Sequence, residues 1–111
     1  MQTLDKALTL FELGHKLRVE KNYQFEPSLT LIQRETGIEL SKDDDIQILE
    51  EYRFKLRTIS VWDLQEPEWY TLGTINYVKN LRAFLSDAIE HIKFLREEND
   101  WILVGLGLAH Q

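Results

Sequence analysis

Val78-Lys79-Asn80-Leu81-Arg82-Ala83-Phe84-Leu85-Ser86-Asp87-Ala88-Ile89-Glu90-His91-Ile92-Lys93-Phe94-Leu95 is the stretch that decides the fold. Within it Val78, Leu81, Leu85, Ala88, Ile92 and Leu95 recur at steps of three and four. That spacing places them on one side of a helix. Tyr77, Phe84 and Ile89 widen the stripe beyond a two-stranded seam, as in a helix packed into a globular bundle. The pattern predicts a helix from about Thr74 to Glu98.

Working outward towards the C-terminus, Asn99 and Asp100 interrupt the pattern, and Trp101-Ile102-Leu103-Val104 forms an apolar run before Gly105 and Gly107. So apolar a segment is not left in water. It reads as a short buried strand or as a strap packed across the helices.

Towards the N-terminus, Asp63 to Glu68 with Pro67 reads as a turn or loop. Ahead of it, Ser41-Lys42-Asp43-Asp44 fits a capping box, in which the serine oxygen serves an orphan amide and the acid reaches back. Ile46, Leu49, Tyr52, Leu56 and Ile59 follow at helical steps, with Arg53 closing the one gap. This predicts a third helix at least to Leu56. A strand from about Phe54 to Val61 is the rival, because Tyr52 to Arg57 alternates apolar and basic and Thr58-Ile59-Ser60-Val61 is rich in β-branched residues. The box feeding directly into the segment favours helix.

A second helix is expected to open on Pro27, carry Leu29, Leu31 and Ile32, and stop at a left-handed Gly37. Asn22 to Glu26 connects it to a first helix over residues 3 to 19, capped by Thr3. There Leu4, Ala7, Leu10, Phe11, Gly14 and Leu17 share one face, opposite Asp5, Glu12 and Lys16. Gly14 either permits close packing or marks an early end. The architecture is then all-α: one domain over residues 1–111, a small four-helix bundle with the apolar C-terminal segment packed on it. An α+β arrangement with short strands near 54–61 and 101–106 is the alternative.

The chain has 111 residues, 43% of them apolar and 29% charged, ordinary values for one globular domain. It has no cysteine, which excludes disulfide scaffolds, thiol catalysis and cysteine-ligated metal centres. The formal charge is −6. Between Glu35 and Glu51 lie seven acids and one base, so this window alone carries the charge of the whole chain. Binding nucleic acid requires cations set against phosphates, and an anionic membrane repels the same surface; neither is expected as a partner. The N-terminal residues lack the uninterrupted apolar core of a secretory signal, and no apolar run approaches the roughly 20 residues that span a bilayer. A soluble cytoplasmic protein is the expectation.

Motifs that could carry chemistry are sparse. Glu12-Leu13-Gly14-His15 has the Glu-x-x-His spacing of di-iron bundles, but such a site needs a second copy and further glutamates; a histidine bonded to a neighbour is the simpler reading. Asp87 and His91 lie one helical turn apart, half of a general-base arrangement without a nucleophile, and read as a helix-surface pair. Asp43-Asp44-Asp45 lacks the EF-hand pattern, which would need Asp or Asn at Gln47, glycine at Ile48 and glutamate at Phe54. The three acids read as charge stabilised at a helix start or as an acidic contact surface. No phosphate-binding loop or nucleophile elbow occurs. Arg53, Lys55 and Arg57 read as a solvated basic face.

No metal, cofactor or catalytic role is assigned. The leading expectation is a non-catalytic protein-binding module, such as a small acidic inhibitor, an immunity or antitoxin-like factor, or a small subunit of a larger complex. Its contact residues would be Asp43, Asp44, Asp45, Glu50 and Glu51, with Trp62 and Trp69 beside the Pro67 turn as aromatic anchors for a basic partner protein. A self-associating structural protein, pairing through the long helix or the Trp101–Leu108 tail, is the second class. A small enzyme using a histidine and a carboxylate is the third.

Overall fold

A computed structural model describes residues 1–63 and 72–105, and within these the side chains of 57–63, 72–75 and 99–105 are left out of the description. The chain runs α1 (Thr3–Lys21), α2 (Leu29–Thr36), α3 (Ile46–Asp63) and α4 (Leu72–Gly105), with no strand among the described residues. The all-α reading holds, and the backbone from Phe54 to Val61 is helical.

Helix starts and stops follow the local chemistry, with three starts and the end of α4 departing from expectation. α1 opens beyond Gln2, and Thr3 lies inside the helix without capping it. Its hydroxyl is drawn instead to Asp44, 41 residues away. The helix ends on Asn22 at φ 55°, and the next amide, that of Tyr23, reaches back to the Arg18 carbonyl at 3.0 Å. Asparagine is among the few residues that tolerate this left-handed closure.

α2 is capped by Ser28, whose Oγ accepts from the Leu31 amide at 3.2 Å. Pro27 therefore precedes the cap and is not the first helical residue. Gly37 closes α2 at φ 74° as expected, donating to the Gln33 carbonyl at 2.9 Å. The third departure is in α3, where Ser41 is not the cap. Residues 41–44 form a turn closed by Asp44 N–H to Ser41 C=O at 3.1 Å, and Asp45 Oδ1 accepts from the Gln47 amide at 3.0 Å at the true start.

α4 keeps the predicted stripe but runs seven residues past Glu98. Asn99 and Asp100 do not end it. Extending a formed helix needs no new nucleus, and each of these residues costs only about 0.5–0.7 kcal/mol relative to alanine. Trp101 to Gly105 is thus the last turn of α4, neither a strand nor a strap. Residues 106–111 lie outside the described part, and so does any packing of that tail.

The core joins Ala7 and Leu10 of α1, Ile32 of α2, Leu40, Leu49 and Leu56 to Leu81, Leu85, Ala88, Ile89 and Ile92 of α4. Each fully buried Leu or Ile side chain contributes about 1.5–3 kcal/mol. Arg53 meets Ser86, and Arg96 meets the carbonyls of Lys42 and Asp44, so α3 and α4 run antiparallel. α1 lies alongside both, with α2 crossing its Gly14. A Cβ built at Gly14 would sit 2.5 Å from Ile32 Cδ1, so the glycine serves close packing and does not end the helix. Among the described residues, no helix is long and apolar enough to cross a membrane.

Candidate functional site

The three consecutive aspartates have three different roles. Asp44 is buried, and its carboxylate holds a junction between helices. Oδ1 accepts from the Thr3 hydroxyl at 2.8 Å, Oδ2 accepts from the Ser41 amide at 2.6 Å, and Lys6 Nζ lies 3.2 and 3.0 Å from the two oxygens. Burial works to raise its pKa. The Ser41 amide, the Thr3 hydroxyl and the Lys6 ammonium together outweigh that effect and hold the carboxyl below its ordinary value. Thr3 Oγ1 also accepts from the Asp45 amide at 3.0 Å. From α4, Arg96 donates to the Lys42 and Asp44 carbonyls at 2.8 and 3.0 Å. Asp44 therefore turns inward, away from the exposed acidic surface.

Asp43, Asp45, Glu50 and Glu51 are exposed. Asp45 caps α3, and Glu51 accepts from Gln47 Nε2 at 3.1 Å one turn away. At about 100° per residue, Gln47, Glu50, Glu51 and Phe54 share the outward side of α3, opposite the core residues Leu49 and Leu56. Phe54 is 68% exposed there. It was hidden in the sequence within an alternating apolar and basic run. Of the two expected tryptophan anchors, Trp62 falls in the last turn of α3 with its side chain outside the described residues, and Trp69 lies wholly outside them.

The expected basic face is divided. Arg53 turns towards α4 and donates to Ser86 Oγ at 3.0 Å, while Lys55 is exposed; the Arg57 side chain lies outside the description. Lys79 and Arg82 of α4 join Arg53, Glu50 and Phe54 around a groove of about 750 Å³ between the two helices. Glu50 thus borders a basic groove.

Among the described residues, neither histidine bonds the carboxylate that its sequence spacing pairs with it. His15 Nδ1 lies 3.5 Å from Glu26. No group of three or more potential ligands occurs among the described residues. Asp87 and His91 make no hydrogen bond to each other, correcting the surface pair. His91 Nε2 faces Gln33 Nε2 at 3.3 Å, and Gln33 Oε1 accepts from the Leu40 amide at 2.8 Å. With its oxygen committed to Leu40, Gln33 donates to His91, whose proton is then assigned to Nδ1. His91 ties α4 to α2.

Four further aromatics among the described residues are exposed, Tyr23, Phe25, Tyr77 and Phe94, none of them singled out by sequence as a surface residue; Tyr77, beside the core stripe by its spacing, is half exposed. No protein-family model, curated protein or solved structure matches the chain.

Proposed function

We propose that the chain is a non-catalytic protein-binding module that offers the outward side of α3 to a basic partner protein. The observation that carries this reading is Phe54, 68% exposed beside Glu50 and Glu51. An exposed aromatic next to carboxylates suits a partner with an apolar pocket rimmed by lysine or arginine. The ring supplies the anchor, and the charges supply steering and orientation.

Asp43 and Asp45 extend the acidic edge at the start of α3. Asp44 serves this surface indirectly, by fixing the turn that presents its two neighbours. Trp62 and Trp69 remain candidate anchors further along the chain. A small acidic inhibitor, an immunity or antitoxin-like factor, or a small subunit of a larger complex would use such a surface, and a cytoplasmic setting accords with the lack of cysteine.

The test is affinity capture from lysate of the source organism, washed at low and then high salt. The wild-type chain is expected to retain a stoichiometric basic protein. Glu50→Lys with Glu51→Lys should weaken capture and flatten its salt dependence. Phe54→Ala should cost about 2 kcal/mol of affinity, with the salt dependence kept. Unchanged capture by both variants would sink the proposal.

A further inference from the structure

A second groove, of about 640 Å³, opens between α1, the α1–α2 connection and the first part of α4. Three aromatic residues, Phe11, Phe25 and Tyr77, stand in its otherwise polar wall. The rings of Phe11 and Tyr77 lie 5.4 Å apart at 77°, forming a near-perpendicular corner, and Phe11 is backed by Phe84 at 5.5 Å. Phe25 stands at the rim, 75% exposed, and Tyr77 is 50% exposed.

Two carboxylates share this groove. Glu26 has Arg18 Nε at 3.6 Å and His15 Nδ1 at 3.5 Å, so the arginine charge is already matched. Glu12 makes no ion pair or hydrogen bond among the described residues, and its charge acts with burial to push the Tyr77 hydroxyl pKa up. The uncompensated charge in the groove is therefore that of Glu12, and it lies beside aromatic rings, whose faces are electron-rich. An anion entering here would meet Glu12 unscreened. A cation would be drawn to Glu12, with the Arg18 charge offset by Glu26.

We infer that this groove is a binding site for an alkylammonium group, held in the Phe11–Tyr77 corner with Phe25 closing over it and Glu12 as counter-charge. Cation–π contacts of this kind contribute modestly when exposed and more when desolvated, so affinity for a small ligand falls in the millimolar range. The charged group could be carried by a free quaternary amine or by a lysine side chain of a protein. The inference stands apart from the α3 surface and survives its failure.

Titration of the full chain followed by amide NMR tests it, using choline, its uncharged isostere 3,3-dimethylbutanol, and end-blocked Gly-Lys-Gly. Saturable shifts confined to residues near 11–15, 24–26 and 76–80 with choline or the peptide, and not with the isostere, are expected. Tighter binding of choline identifies a free amine as the ligand; tighter binding of the peptide identifies a lysine side chain. Glu12→Gln and Phe25→Leu, both at exposed positions, should each weaken binding about fivefold, the equivalent of about 1 kcal/mol. Equal binding of the isostere, shifts that do not saturate, or variants that bind like wild type would overturn it.

Discussion

At the scale of single residues, Asp44 is the most consequential side chain described. Asp43, Asp44 and Asp45 are chemically identical in the sequence. The long-range partners Thr3 and Lys6, together with the nearby Ser41 amide, separate the anchor from the cap and from the solvated acid. Asp44→Asn replaces an acceptor facing Lys6 and the Ser41 amide with a group that must donate on one side. The loss should be about 2–4 kcal/mol at neutral pH, as for breaking a largely buried charged contact. The carboxyl has a folded pKa below its ordinary value of 3.8. Its contribution is therefore fully present above that value and disappears as the pH falls through the lower folded one. Urea unfolding of wild type and Asp44→Asn should show a constant stability gap from pH 7 to about 5 that narrows once the pH falls below about 4. A gap that is unchanged in acid would show that the ionised form is not what holds the junction.

At the scale of elements, α1 and α2 meet through Gly14 and Ile32. Alanine ordinarily stabilises a helix interior relative to glycine by about 1 kcal/mol. Here the added Cβ would press on a buried isoleucine, and overpacking costs about 1–3 kcal/mol. Gly14→Ala should accordingly lower the melting temperature. Ile32→Val removes the Cδ1 atom that the new methyl would strike, so in its presence Gly14→Ala should cost less or become stabilising. A double-mutant cycle on thermal unfolding reads this coupling directly; strict additivity would place the two helices further apart than described. The far end of α4 belongs to the same scale. Polar Asn99 and Asp100 resemble a stop in sequence, but a long helix already formed passes through them at small cost.

For the whole molecule, α4 sets the shape. Its 34 residues extend about 51 Å at 1.5 Å per residue, and the Cα radius of gyration is 17.0 Å, with principal extents of 63 × 33 × 24 Å. A compact chain of this length would have a radius near 13 Å. Solution X-ray scattering of the monomer should give a value close to 17.0 Å; one near 13 Å would mean that the long helix folds back. The sequence by itself determined the helical class, the core stripe of α4, the left-handed stop at Gly37 and the acidic window, because periodicity, caps and local charge act over a few neighbouring residues. The tertiary structure decided that Asp44 turns inward, that Thr3 leaves its expected cap, that His91 meets Gln33 instead of Asp87, and that Phe11, Phe25 and Tyr77 line one groove. Each of those outcomes depends on groups far apart in the chain, and residue type and spacing carry no record of which distant partner will arrive.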